Sequence, residues 1–262
     1  MLAEPFARYD CFLFDLDGVL YRGDQVVPGA PQALASLREA GRRVVFMTNN
    51  SARTPEEVAA RLEGLDIAAH TDEIETSALA TAGMLAARGG GTAFVIGRRG
   101  LLDALANAGI HVVDGAAGRV DHVVVGWDAD ADYAKLRDAC LLIQRGADLI
   151  ATNADASYPS PDGLWPGAGA LLAVVTTTTG AIPEVVGKPN PPLFEAALAR
   201  AGGGRPLVVG DRIETDIAGA DALCWDSLLV LTGVTSRADL DGASVRPTYV
   251  ADSLADLCGP SP

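Results

Sequence analysis

The chain has 262 residues, 49% of them hydrophobic and 21% charged, a composition that excludes a disordered or fibrous protein and allows one large domain or a body with an inserted module. Its formal net charge of −14 sets up a negative field that repels nucleic acid and anionic lipid, so neither is expected as a partner. The same field repels a phosphorylated metabolite, and any phosphate site must therefore carry its own local positive charge.

In chain order, short unbroken apolar runs that end in polar or acidic residues predict strands buried on both faces of a parallel sheet: Cys11 to Phe14, Val44 to Met47, Leu207 to Val209 and Leu228 to Leu231. After the second of these, Thr54-Pro55-Glu56-Glu57 supplies an N-cap, a proline at the first helical position and a capping-box glutamate. Val58, Leu62 and Leu65 then fall on one helical face. From about Thr81 to Gly180 a second series alternates strand and helix: Thr92 to Ile96, a helix near Leu101 to Ala108, Asp121 to Val125, a helix near Tyr133 to Gln144, and Leu149 to Thr152. The pattern predicts an α/β protein, a Rossmann-like doubly wound parallel core from residues 1–80 and 181–262 with an α/β domain, 81–180, inserted between them.

Cys11, Cys140, Cys224 and Cys258 are widely spaced and form no CxxC pair, which points to reduced, mostly buried thiols rather than a zinc knuckle or a disulfide scaffold. Charged residues from Glu4 to Asp17 interrupt any signal-peptide apolar stretch, so a cytoplasmic location is expected. Gly163 to Pro183 has no charged side chain, but Pro166, its glycines and the run Thr176 to Thr179 leave too short an apolar part to cross a bilayer. A buried helix is expected there. Asn49-Asn50-Ser51 has the form of a glycosylation sequon, without meaning in an unsecreted protein.

Four segments carry chemistry. Cys-Phe-Leu-Phe-Asp15-Leu-Asp17-Gly18 is an apolar strand delivering two carboxylates, two positions apart, at its carboxyl end. Open α/β sheets bind ligands at that edge, and side chains two apart share a face, so one could attack while the other handles a proton. Alone, Asp-x-Asp-Gly is more often a solvated turn; a calcium loop fails because Val26 stands where a bidentate Glu is required. Thr48-Asn49-Asn50-Ser51 follows the second strand with hydroxyl, amide and backbone N–H groups suited to phosphate oxygens, or to a simple cap and turn. Gly187-Lys188-Pro189-Asn190-Pro191 places a cation before a helix with Asn190 as N-cap, although a surface lysine would look the same. Gly210-Asp211-Arg-Ile-Glu214-Thr215-Asp216 ends another strand in acids suited to a hard, oxygen-loving cation.

With these four segments together, the sequence resembles the haloacid dehalogenase superfamily, and within it the phosphatase branch that includes para-nitrophenyl, phosphoglycolate and glycerol-phosphate phosphatases. The likeness runs from about Asp10 to Leu257. It extends to the inserted domain through Val124-Val-Gly-Trp-Asp128, Tyr133-Ala-Lys-Leu136, Ile150-Ala-Thr-Asn153-Ala-Asp155 and Pro166-Gly-Ala-Gly-Ala-Leu171. The resemblance implies a Mg2+-dependent hydrolysis of a small phosphomonoester. Asp15 would be the nucleophile, Asp17 the general acid and then base, and Lys188 the neutralising cation. Thr48 and Asn49 would hold the phosphoryl oxygens, with Asn50 among the phosphate-binding residues. Magnesium would sit on the Asp15 carboxylate, the Asp17 backbone carbonyl and Asp211, with Asp216 holding a metal-bound water. The acid at Asp17 and the metal carboxylates distinguish a phosphatase set from a dehalogenase one.

The inserted domain would act as a cap that closes over the nucleophile and selects the substrate. Trp127, Asp128, Asn153, Asp155 and Trp165 are the candidates for that role, each with a strong alternative reading as a cap packing or folding residue. A homodimer through the cap is expected from the family. The charges agree: two carboxylates about 4 Å apart repel by roughly 4 kcal/mol at an effective dielectric near 20, so Asp15 needs both a divalent cation and Lys188 to stay ionised beside a dianion. Alternatives are a phosphotransferase or mutase, which would deliver the group to a sugar hydroxyl, and a regulatory protein using a retired site, which four intact motifs argue against. Leu223-Cys224 stands where the family tends to have Ala-Gly after the fourth motif, and a left-handed Cys224 would be strained. Gly167-Ala-Gly169 resembles part of a dinucleotide fingerprint but follows a loop, so close helix packing is expected. No Walker A sequence occurs, and His70, His111 and His122 read as structural or surface residues.

Overall fold

In the computed structural model, which describes residues 2–160 and 162–258, the chain forms two compact units: Met1–Thr48 with Pro55–Glu75 and Lys188–Pro262, and Asn49–Thr54 with Thr76–Gly187. The first unit opens with β1 (Cys11–Phe14), β2 (Tyr21–Arg22), β3 (Gln25–Val26), α1 (Ala30–Glu39), β4 (Arg43–Thr48), α2 (Pro55–Glu63) and β5 (Ile74–Thr76). The second holds α3 (Ser77–Ala87), β6 (Thr92–Ile96), α4 (Arg99–Asn107), β7 (His111–Val113), β8 (His122–Val125) and α5 (Tyr133–Gln144). It continues with β9 (Asp148–Ala151), β10 (Ser157–Ser160), β11 (Gly163–Pro166), α6 (Ala168–Thr179) and β12 (Glu184–Val185). The chain then returns to the first unit with α7 (Pro191–Arg200), β13 (Pro206–Gly210), α8 (Ala218–Ala222), β14 (Asp226–Val230) and β15 (Tyr249–Ala251).

The first unit is a six-stranded sheet of order β15-β14-β13-β1-β4-β5, with β1 running parallel to both β4 and β13. The period-2 alternation of its strands divides β1 between two cores. Phe12 and Phe14 face α1 and α2 through Leu34, Leu37, Val58 and Leu62, while Cys11 and Leu13 face Phe194 and Ala197 of α7. Successive strands step outward on one side of β1 and then, after the second unit, on the other. The strand order therefore reverses between β1 and β13, and the crevice beyond their carboxyl ends is where such sheets take ligands.

The second unit has its own parallel sheet, β12-β9-β8-β6-β7, packed through Phe94, Val123, Val125 and Leu149 against Ala139 and Leu142 of α5 and Leu172 and Val175 of α6. Its span differs from residues 81–180 for two reasons. Helix α3 begins at Ser77 and packs on α4, and β12 pairs with β9.

Three expectations need correction. The uncharged stretch from Gly163 is not one buried helix: its start is strand β11 of an antiparallel hairpin with β10, and α6 buries only Ala168, Leu172 and Val175, leaving Val174 exposed. Helix α2 ends at Glu63, so Leu65 packs on the core from the following turn. Of the four thiols only Cys11 and Cys140 are buried, although all are free. Gly167 and Gly169 do serve close packing, their N–H groups donating to the carbonyls of Ala156 and Asp155. Among the described residues no helix is long and apolar enough to cross a membrane.

Helix α8 closes with paired bonds, Trp225 N to Ala220 O and Cys224 N to Asp221 O, which require a left-handed residue at 224. The exposed Cys224 adopts φ 56° there. Cys224→Gly should relieve about 1–2 kcal/mol of left-handed strain and lose about 0.4–1 kcal/mol to chain entropy. Denaturant unfolding should accordingly register a net stabilisation of about 0.5–1 kcal/mol.

Candidate active site

Four segments of the first unit end at the crevice. Asp15 directly follows β1, Thr48 closes β4, Asp211 directly follows β13, and Lys188 precedes α7. Asp216 sits in a single π-turn, Ile213–Ile217, that folds back onto β13. Gly210 makes this approach feasible, since a Cβ built there would lie 2.2 Å from the Asp216 Cβ.

Lys188 is the centre of the cluster. The residue is 5% exposed, and its ammonium donates to Asp15 Oδ1 at 2.5 Å and to Asp216 Oδ1 at 2.6 Å. Burial opposes its charge, but the Asp15 and Asp216 carboxylates outweigh that and raise its pKa above the ordinary lysine value. Burial pushes the Asp15 carboxyl up to about 8 in the metal-free chain, with Lys188 pulling it down and Asp216 and Asp211 adding like-charge repulsion. Burial and Asp216 likewise push Asp211 up to about 6, against the Val234 N–H that donates to it.

One oxygen each from Asp15, Asp211 and Asp216 come within 4.8 Å of one another. Asp211 Oδ1 is buried with no hydrogen-bond partner among the described residues. Three carboxylates face one ammonium, and the orphaned carboxylate oxygen is a ready ligand for a cation. The donor set is all oxygen, which suits Mg2+ or Ca2+. These residues therefore fit the metal that the sequence implies.

Two family models match the chain, a haloacid dehalogenase-like hydrolase over residues 12–111 and a related hydrolase-like model over residues 185–257. The acid sugar phosphatase of Staphylococcus saprophyticus is 39% identical over 253 residues, 95% of this chain and 97% of that one. The chain belongs to the haloacid dehalogenase-like hydrolases. Among solved structures, the glycerol phosphate phosphatase of Mycobacterium tuberculosis in complex with magnesium superposes with a TM-score of 0.91 at 39% identity, covering 97% of this chain and 78% of that one. The p-nitrophenyl phosphatase of Archaeoglobus fulgidus gives a TM-score of 0.88 at 32% identity over 95% and 97% of the two chains.

Within this hydrolase the remaining residues expected from sequence divide between the units. Asp17 is exposed at the mouth of β1 and accepts a long bond from Tyr21 Oη, 3.4 Å. Although the side chain meets solvent, enough protein surrounds it to raise its carboxyl pKa, against the lowering pull of Arg61, Tyr21 and Lys188. Thr48 is buried at the end of β4. Asn49 and Asn50 fall in the second unit. The Asn49 carbonyl accepts from Ser77 Oγ and from Asn153 Nδ2, each at 2.7 Å, and its amide donates to Asp155 at 3.2 Å. The Asn50 amide oxygen accepts from Ala52 N, 2.9 Å, and so caps its own turn.

Asp128 is buried against the ammonium of Lys135, 2.5 Å. The Trp127 ring lies 5.0 Å from that of Tyr158, its N–H donating to the Pro166 carbonyl. Both fit the structural readings offered for them, and Trp165 is exposed on the hairpin. His122 Nε2 meets the Gly90 carbonyl, 3.2 Å, a structural contact.

Sequence reasoning missed Tyr21 and Arg61, the latter stacked over the Tyr21 ring at 4.8 Å to its centroid. The visible signal was the tyrosine four residues after Asp17, brought back by the turn that the Gly18 N to Tyr21 O bond closes.

Asp211→Asn keeps the shape of the cluster while removing one like charge and giving the orphaned position a neutral group. The metal-free variant should be at least as stable as the unsubstituted chain. It should lose the Mg2+-induced stabilisation, about 2.7 kcal/mol at 100 times the dissociation constant, that thermal denaturation should detect in the parent.

Proposed function

We propose that this hydrolase is a Mg2+-dependent phosphatase that cleaves small phosphomonoesters through a phosphoaspartate at Asp15. The observation that carries the reading is the Lys188 ammonium held between Asp15 and Asp216, with Asp211 completing a set of oxygens for a divalent cation. Asp15, the Asp17 backbone carbonyl and Asp211 would hold the metal, with Asp216 beside them, and it would supply positive charge to the phosphoryl oxygens and let Asp15 stay ionised.

An Asp15 carboxylate oxygen attacks phosphorus in line, and the bond to the leaving oxygen breaks as Asp17 donates it a proton. Asp17, now a carboxylate, takes a proton from water. The water oxygen attacks the phosphorus of the acyl phosphate, releasing inorganic phosphate and restoring Asp15. Lys188 and the Thr48 hydroxyl bind phosphoryl oxygens whose charge is best met by pre-oriented groups in a water-poor site. The exposure of Asp17 and its raised pKa suit a group that must reach the leaving oxygen while still protonated.

The second unit acts as the cap, and the class of substrate is a phosphorylated sugar or small polyol. The names of the sugar and glycerol phosphatases support this. Asn49, Asn153 and Asp155, already bonded to one another, offer amide and carboxylate groups that match hydroxyl-bearing substrates. Four free thiols accord with a cytoplasmic setting. A homodimer through the cap follows from the family resemblance, and Tyr133, Leu164 and Ile182 are exposed apolar groups of that unit.

Phosphate release from a panel of sugar and polyol phosphates should require Mg2+ and stop on chelation. Asp15→Asn should reduce turnover by about 10³-fold or more, and Asp17→Asn by about 10²–10⁴-fold. Release that survives in Asp15→Asn would sink the mechanism, and release from no ester would sink the assignment.

A further inference from the structure

Downstream of β14 the chain returns to Asp211 through the loop Thr232–Thr235. The Val234 N–H donates to Asp211 Oδ2 at 2.7 Å, and the Thr235 N–H to the Asp211 carbonyl at 3.1 Å. From the same loop the buried Thr232 hydroxyl donates to the Gly18 carbonyl at 2.7 Å, one residue beyond Asp17. Gly233 fits between these anchors: a Cβ built on it would fall 1.9 Å from Asp211 Oδ2. A Cβ built on Gly18 would fall 2.4 Å from that same oxygen and 3.0 Å from the Gly233 Cα. Oδ2 is thus enclosed by two glycines and satisfied by an amide, while Oδ1 is left buried with no partner among the described residues, in a residue that offers one oxygen within 4.8 Å of oxygens of Asp15 and Asp216.

We propose that Thr232, Gly233 and Val234 form a positioning clamp that selects Oδ1 of Asp211 as the metal-facing oxygen and fixes it against the loop carrying Asp15 and Asp17. The inference rests on reading the carboxylate cluster as a Mg2+ site. Thr232 meets no reacting atom. It ties the last turn of the nucleophile loop to the strand end that positions Asp211, so the spacing between the two ligating segments is set before metal arrives. A ligating carboxylate that is free to rotate must be ordered on binding, and loss of outer hydrogen-bond partners typically weakens metal affinity about 10–100-fold. Any side chain at 233 would push directly on the carboxylate.

The test is calorimetric titration of Mg2+ into the substrate-free full chain, with the melting of the metal-free form measured alongside. Thr232→Val, which keeps the shape and loses the hydroxyl, should weaken Mg2+ about tenfold, and Gly233→Ala by about 100-fold. Thr232→Ser should restore affinity to within about twofold of the parent. A purely structural threonine would lower the metal-free melting temperature and leave the Mg2+ affinity of the folded protein unchanged. That outcome overturns the clamp alone. If Gly233→Ala fails to fold, the valine and serine variants at 232 decide the matter. Absence of Mg2+ binding by the unsubstituted chain would overturn both the clamp and the metal-dependent phosphatase reading.

Discussion

The buried ammonium of Lys188, shared between Asp15 and Asp216, is the interaction on which the site depends. An unpaired carboxylate or lysine in such a place would be neutralised or would unfold its surroundings. Together they form an ion cluster still short of positive charge, because Asp211 joins it without a cation of its own. This excess of acid in a chain already at −14 makes a divalent cation the natural completion. The same ammonium and metal would overcome the repulsion that the whole protein presents to a phosphate ester.

Architecture explains why these groups meet. The strand order reverses between β1 and β13, so the loops leaving these two neighbours diverge and open a crevice. Asp15 and Asp211 are the first residues beyond the two strands. The π-turn at Ile213–Ile217 redirects the following segment, bringing Asp216 back over Gly210 instead of leaving it on a regular helix face. The 232–235 loop then encloses the remaining side of Asp211. In the second unit, the 49–54 loop is held by bonds from Ser77, Thr152 and Asn153, so Asn49 is oriented by a network of its own.

Much of this was legible because strand ends and helix starts are written locally. Cys11–Phe14 and Tyr133–Gln144 match their elements residue for residue, since both-face burial and helical periodicity leave plain patterns. The left-handed Cys224 followed from the helix ending. The β10–β11 hairpin did not, because its residues are largely exposed and lack alternation, and the low-charge stretch around it imitates a buried helix. Long-range pairings were equally hidden. Asn49 and Asp155 are 106 positions apart, and Val234 serves Asp211 through a backbone N–H that any residue but proline would supply. No side-chain pattern can report a main-chain donor.

The most direct measurement is mass spectrometry of the Asp15-containing peptide after rapid acid quench of the Asp17→Asn variant turning over, with Mg2+, an aryl phosphoester whose leaving group departs without a proton. With no base to activate water, phosphate should accumulate on Asp15 and on no other residue. An unmodified Asp15 peptide in a variant that still releases the leaving group from the ester, or phosphate on a different side chain, would contradict the proposed mechanism.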